Sequence, residues 1–189
     1  MSRTTDQRMT ADAFIAWAME QPDGTHYELA DGEVIAVSPE RSDHALIKFA
    51  IARRLAEAVE AAALPCTVYP DGVVVQVDDH TVYEPDALIR CGEKLPPDAV
   101  RIHDPIVIVE VLSPSTRGVD TGNKLADYFR LPSLMHYLIV RPADGRVIHH
   151  ARDAEGGIGT RIHAGGAITL DPPGITVTLP SPGPPGSAP

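Results

Sequence analysis

From Ser42 to Ala63 apolar residues recur every four positions, with Ile47, Ile51, Leu55 and Val59 on one stripe and Lys48, Arg53, Arg54, Glu57 and Glu60 off it. That spacing predicts the strongest amphipathic helix of the chain, capped by Ser42 or Asp43 and stopped by Pro65. A shorter helix is predicted over residues 10–20, where Thr10 can cap and Phe14, Trp17 and Ala18 repeat at helical spacing, turning the single Trp inward. Between these two, YELADGEVIAVSP places Asp31-Gly32 between β-prone runs, the signature of a hairpin turn.

Three β-like runs follow. Residues 73–79 alternate only in part, and residues 82–89 (VYEPDALI) carry an internal proline that makes them an edge strand or a kinked one. Residues 105–115 (PIVIVEVLSPS) form a nearly continuous branched apolar run, the pattern of a central strand buried on both faces. DTGNKLADYFRLP then predicts a short helix capped by Asp120 or Thr121 and ended by Pro132. MHYLIV (135–140) and RVIHHAR (146–152) read as a hairpin through Pro142–Gly145. Beyond about Gly156 the pattern weakens, and residues 180–189 are a Pro/Gly/Ser-rich tail, expected to be disordered or packed on a partner. The order is that of an α/β protein around one central sheet: a single domain over residues 1–179, followed by the tail.

Composition narrows the class. A chain of 189 residues is long enough to bury its own core, and its two cysteines, Cys66 and Cys91, are far apart, which argues against a disulfide framework or a zinc ribbon. No apolar stretch approaches the ~20 residues that span a bilayer, so no membrane partner is expected and a cytoplasmic location is. The net charge of −10 disfavours a protein that coats nucleic acid by charge, but leaves open a nucleic-acid enzyme whose carboxylates hold metal. Thirteen of the basic residues are Arg and three are Lys (Lys48, Lys94 and Lys124), so a retained lysine hints at a chemical need.

Glu110 interrupts the branched run on the face of Ile108 and Leu112, where an ionised carboxylate must be protonated, paired or metal-bound unless the strand end opens to water. Asp86 follows Pro85 in the neighbouring run; its alternative is an ordinary turn aspartate. Lys124 lies one turn into the helix after the Glu110 strand, close enough to approach both carboxylates, with Tyr128 on the same helix face. Two carboxylates and a lysine are a known solution for binding a hard cation such as Mg²⁺ and stabilising charge on a phosphodiester. His149-His150 resembles a metal pair, but adjacent strand residues face opposite sides. Arg41, Lys48, Arg90, Lys94, Arg117 and Arg130 are candidates for phosphate contacts or simply scattered surface charge.

YELADGEVI, His44 at the head of the long helix, EPDALI, PIVIVEVLSPST, and Lys124 to Tyr128 followed by MHYLIV together resemble the PD-(D/E)XK nuclease superfamily, and within it the bacterial Uma-two-type family of restriction endonucleases. The match covers roughly residues 10–150. The resemblance implies a restriction-endonuclease-like core of helix, three strands, helix and strand. An N-terminal helix, a β-hairpin and extra C-terminal strands would be added to that core. It implies a Mg²⁺- or Mn²⁺-dependent endonuclease acting on DNA, with Asp86 and Glu110 as metal ligands, Lys124 assisting, and Glu28, His44 and Tyr128 completing the site. One departure stands out: the signature's third position is Leu112, not Lys, so the lysine would come from the following helix. A non-catalytic binding member of the fold is the alternative, and the Ala-rich end of the long helix and the tail suggest a homodimer.

Overall fold

The computed structural model describes residues 8–112 and 120–179. Helix α1 (Ala11–Ala18) is capped by Thr10, whose Oγ accepts from the Ala13 amide at 3.3 Å. It buries Phe14 and Ile15, while Trp17 is half-buried and packs edge-on against Tyr27 at 4.8 Å. Strands β1 (His26–Ala30) and β2 (Glu33–Val37) form the hairpin expected at Asp31-Gly32. Both turn residues adopt positive φ, 48° and 82°, as a tight two-residue turn requires. Helix α2 (Ser42–Ala61) has Arg41 at its N-cap with no side-chain capping bond, so neither expected cap acts there. The buried stripe comprises Lys48, Ile51, Ala52, Leu55 and Val59, with Ile47 partly buried against the same core; Lys48, expected off the stripe, lies on it. A helix turns 3.6 residues per turn, so positions 48, 51, 55 and 59 stay on one face better than 47, 51, 55 and 59 do.

Strand β3 (Cys66–Pro70) had no sequence signal of its own. It is followed by β4 (Val74–Asp78), β5 (Thr81–Tyr83), β6 (Ala87–Cys91), the short β7 (Arg101–Ile102) and β8 (Val107–Val111). The run VYEPDALI is not one strand. Glu84-Pro85-Asp86 separates β5 from β6, which lie in different sheets. Pro85 has no N–H to give a ladder, so the chain leaves one sheet there and enters the other. Helix α3 (Asp120–Tyr128) leads to the hairpin of β9 (His136–Arg141) and β10 (Arg146–Arg152). Three further strands, β11 (Ile158–His163), β12 (Ile168–Leu170) and β13 (Ile175–Val177), lie beyond the point where the sequence pattern fades. The caps expected at Asp120 and Thr121, the Ser113-Pro114 strand end, Arg117 and the 180–189 tail fall outside what is described.

There are two main sheets rather than one. A six-stranded sheet runs β11-β10-β9-β8-β6-β3, a five-stranded sheet β2-β1-β5-β4-β7, and β12-β13 forms a small hairpin. Strand β8 is central, parallel to β9 and antiparallel to β6, and Val107, Ile108 and Val109 are wholly buried. Its odd residues face α2: Ile51, Leu55 and Val59 pack with Ala87, Ile89, Val107, Val109, Leu138 and Val140, and β13 closes the far side. Its even residues face the opposite way, where Ile108 joins Tyr128, Tyr137, Leu134 and the inner residues Val75, Tyr83 and Ile102 of the second sheet. Each face of the six-stranded sheet thus carries its own apolar core, as a buried α/β sheet requires.

The cysteines correct the sequence expectation. Cys66 and Cys91 are directly opposite across β3 and β6 and form a disulfide, closing the edge strand onto its neighbour. Their separation of 25 residues concealed a pairing that only strand register creates.

Three histidines share the face of β9, β10 and β11 beneath the small hairpin. His136 and His149 meet at 2.9 Å between ring nitrogens, His136 reaches the Pro172 carbonyl at 2.9 Å, and the His149 and His163 rings stand 5.7 Å apart. His150 points the other way, to Thr160 Oγ at 2.8 Å, as alternation demands. Burial, with the neighbouring His136, His163 and Arg161 adding to it, pulls the His149 imidazole down to about 4. The unfolded chain protonates this residue from about pH 6.5, so stability falls as pH drops from about 6.5 toward 4. Urea unfolding at pH 7 and pH 4.5 should show His149→Leu losing about 2 kcal/mol less stability across that interval than the unaltered protein. Equal losses would place the acid sensitivity elsewhere.

Candidate functional site

The site lies at the end of the six-stranded sheet where β8 finishes and β6 begins. Ala87 pairs with Val109, so Asp86, just before β6, and Glu110, near the end of β8, lie at the same end of this strand pair. Asp86 Oδ2 accepts the Val111 amide at 2.5 Å, a bond that uses the backbone donor at the end of β8. Its Oδ1 accepts from Lys48 Nζ at 2.8 Å. His44, on the first turn of α2, donates Nε2–H to the Val111 carbonyl at 2.8 Å. The two polar groups of one strand-end residue therefore hold both the loop before β6 and the start of α2.

Glu110 points to the opposite side of β8. Its Oε1 accepts from Tyr128 Oη at 2.9 Å and from Lys124 Nζ at 3.3 Å, both on α3. Lys124 also donates to Glu28 Oε1 at 2.8 Å, and that same oxygen accepts the Glu84 amide at 3.0 Å, tying β1 to the break between β5 and β6. Tyr83 and Tyr137 stack edge-on against Tyr128 at 5.4 and 5.3 Å, and Lys124 lies 5.2 Å over the Tyr83 ring. Aromatic walls exclude water on this side, and Tyr83 is anchored by its hydroxyl donating to Asp127 at 2.6 Å.

The structure thus brings five of the expected residues, Glu28, His44, Glu110, Lys124 and Tyr128, into hydrogen-bonded contact around the end of β8, and Asp86 onto its backbone. It also brings in Glu40 and Asp71, which sequence reading passed over, and Lys48, which it weighed as a phosphate contact or scattered surface charge. Lys48 Nζ contacts Glu40 Oε1 at 2.5 Å and Asp71 Oδ2 as well as Asp86, and oxygens of Glu40, Asp71 and Asp86 lie within 4.8 Å of one another. Lys48 is therefore not scattered surface charge. Its signals were its scarcity and its place on the 3.6-residue stripe, whereas Glu40 and Asp71 sit outside the regular elements and carry no pattern. Arg90 and Arg130 are engaged elsewhere, with Asp104 and with Asp78 and Asp127.

Five carboxylates (Glu28, Glu40, Asp71, Asp86 and Glu110) face two ammonium groups, Lys48 and Lys124. The excess is negative and the donors are hard oxygens; Glu28, Lys48, Asp86 and Lys124 are each 6–8% exposed, whereas Glu40 and Asp71 lie at the exposed rim. Burial pushes the Glu110 carboxyl up to about 8; Lys124 and Tyr128 pull against it, while the charges of Asp86 and Glu28 add to it. Burial likewise raises Asp86, opposed by Lys48, the Val111 amide and His44. Burial alone would lower Lys48, but Asp86, Asp71 and Glu40 outweigh it and hold the ammonium above its ordinary range. His44 Nδ1 is buried without a hydrogen-bond partner and stands 3.5 Å from Glu40 Oε2. This donor set fits Mg²⁺ or Mn²⁺, which take oxygen ligands and keep several waters.

A family model described as "Putative restriction endonuclease", Uma2, matches residues 11–179. This chain belongs to the Uma2 family. Its fold is that of a crystal structure from Anabaena variabilis, described as a putative nuclease belonging to DUF820. The TM-score is 0.65 and the identity 15%, over 82% of this chain and 84% of that one. The restriction-endonuclease-like architecture is thereby shared, with the extra C-terminal strands expected from sequence. A Synechocystis sp. protein, described as uncharacterized, is 24% identical over 148 residues, 77% of this chain and 76% of its own length. Within the Uma2 chain described here, no helix among the described residues is long and apolar enough to cross a membrane.

The placement of Glu110 has a measurable consequence. In a carboxyl-carbon NMR titration Glu110 should titrate near pH 8, against about 4.3 for an exposed glutamate. Lys124→Met removes the favourable cation and should move this titration higher; Asp86→Asn removes a neighbouring negative charge and should move it lower. Because the folded value lies above the unfolded one, this group's contribution to stability is complete below about pH 4.3 and is lost as pH rises through 8. A Glu110 titration near 4 would mean that the strand end is open to water.

Proposed function

We propose that this chain is a divalent-metal-dependent endonuclease that hydrolyses phosphodiester bonds in DNA, working in the cytoplasm. The observation that supports the reading is that Asp86 and Glu110 lie at the same end of β6 and β8, among further carboxylates, on a fold shared with a protein described as a nuclease. Asp86 and Glu110 would hold Mg²⁺ or Mn²⁺, which neutralises charge on a phosphodiester and lowers the pKa of a bound water. The other residues serve those two. Tyr128 donates to Glu110 and fixes its rotamer; Lys124, held by Glu28, sets a positive charge beside Glu110 where negative charge develops on phosphate. His44 orients the end of β8 through Val111. The lysine missing at Leu112 is supplied in space by Lys124, one helix later in the chain.

Purified protein incubated with supercoiled plasmid and with single-stranded DNA should nick or cleave in Mg²⁺ or Mn²⁺ and stop on chelation. Asp86→Ala and Glu110→Ala should each lower the rate by more than about 100-fold, beyond the 10–100-fold typical of residues that only support a ligand. Cleavage that survives in both variants would belong to a contaminant. A second reading, a non-catalytic binding member of the fold, is favoured by one observation: Asp86 and Glu110 already have lysine partners. Calorimetry separates the two, because that reading expects no Mn²⁺ binding by the folded protein at millimolar metal.

The chain is further proposed to act as a homodimer through β2. This strand is an edge of its sheet among the described residues and is exposed on both faces, with Val34, Ile35 and Val37 each more than a third exposed. Such an edge is a template for another strand, and antiparallel pairing with the same strand of a second copy satisfies it by symmetry. Light scattering at micromolar concentration should give twice the 20.2 kDa chain mass, falling to the monomer in Ile35→Lys. A monomeric mass for the unaltered protein rejects this arrangement.

A further inference from the structure

Lys48 stands at the meeting point of three acids. Its ammonium has three N–H donors and meets three carboxylates: Asp86 Oδ1 at 2.8 Å, Glu40 Oε1 at 2.5 Å and Asp71 Oδ2. The three acids come from separate places in the sequence: the segment before α2, the turn after β3 and the break before β6. Their oxygens converge to within 4.8 Å of one another, and the Lys48 nitrogen bonds to all three residues. With every donor used and three acids around it, this ammonium has neither a lone pair nor a spare proton to offer a substrate. A general-base role is therefore excluded by its bonding.

What the arrangement does provide is a positive charge at the focus of a hard-oxygen cage. A cation there spares Asp86, buried against the Val111 amide, from being an uncompensated charge, a state that costs several kcal/mol. A divalent ion seeks the same oxygens. Two cations cannot share them, because Asp86 Oδ2 is committed to the Val111 amide and Oδ1 to Lys48, and like charges a few ångströms apart in a low-dielectric site repel strongly. Lys124 pairs with Glu28 and Glu110, on the other side of β8.

We infer that the Lys48 ammonium is the resident counter-cation of Asp86, and that a divalent ion binds Asp86 by displacing it. The inference rests on the reading of Asp86 as a metal ligand. It assigns Lys48 a positioning role: holding Glu40, Asp71 and Asp86 in a cation-ready arrangement while no metal is present, and setting the metal concentration at which the site fills. On displacement no bond is made or broken other than these ion pairs, and the ammonium keeps its proton and turns toward Glu40 and Asp71, which retain it nearby.

The three lysines allow a direct test on the unaltered protein. With ¹⁵N-labelled lysine side chains, the Lys48 ammonium, buried and triply bonded, should give a protected signal in metal-free protein, while exposed Lys94 serves as the reference. Titration with diamagnetic Mg²⁺ should move or erase the Lys48 signal in step with binding measured by calorimetry, leaving Lys94 unchanged. Lys48→Met should bind Mn²⁺ about tenfold or more tightly, and should gain more thermal stability from added Mn²⁺ than the unaltered protein. Mg²⁺ binding that is lost in Asp86→Asn yet leaves the Lys48 signal in place overturns the inference alone. Absence of any Mg²⁺ or Mn²⁺ binding overturns the proposed function and the inference together.

Discussion

A carboxylate taken out of water must find positive charge or donors, and at the end of β8 that requirement governs how distant segments meet. Asp86 is satisfied by the Val111 amide and Lys48; Glu110 is satisfied by Tyr128 and Lys124. Removing one partner of such a pair leaves a buried charge that costs about 3–5 kcal/mol, more than most single packing contacts. The pairs therefore act as registration marks. Lys48 sets the rotation of α2 against the sheet, Lys124 and Tyr128 set α3, and Glu28 draws β1 of the second sheet toward the first.

The apolar framework makes those marks possible. Two cores, one on each side of the six-stranded sheet, exclude water from both faces of β8, so its carboxylate side chain and strand-end backbone are held where the dielectric is low. Pro85 contributes from the backbone. By ending β5 and letting β6 begin in another sheet, it places Asp86 at a strand entrance rather than within a ladder, where its side chain can turn back to accept a strand-end amide. The geometry concentrates negative charge in a chain whose overall charge is already −10, so attraction to a nucleic acid would depend on a cation in the site more than on the surface as a whole.

Much of this was legible beforehand, for identifiable reasons. Glu110 stood out because a single acid in a branched apolar run violates strand periodicity, and β8 is indeed central and buried. The β1-β2 turn was readable because Asp-Gly is among the few pairs that accept two successive positive φ angles. Lys48 was misread because counting in fours drifts from the true helical period between Ile47 and Val59, moving a buried lysine to the solvent side of the prediction. Strands β3 and β11 carry polar residues without clean alternation, β12 and β13 are three residues each, and the Cys66–Cys91 pair depends on a register that no local pattern encodes.

The sequence by itself determined the elements with strong periodicity and singled out Glu110 as an acid inside an apolar run, because each of these rests on near-neighbour sterics and on the cost of a misplaced polar residue. Only the tertiary structure decided that there are two sheets, that Lys124 serves Glu28 and Glu110, and that Lys48 with Glu40 and Asp71 serves Asp86. Charge pairing between residues tens of positions apart is chosen by which faces the cores bring together. Burial then makes that choice binding, since an ion pair worth little in water becomes obligatory once water is gone.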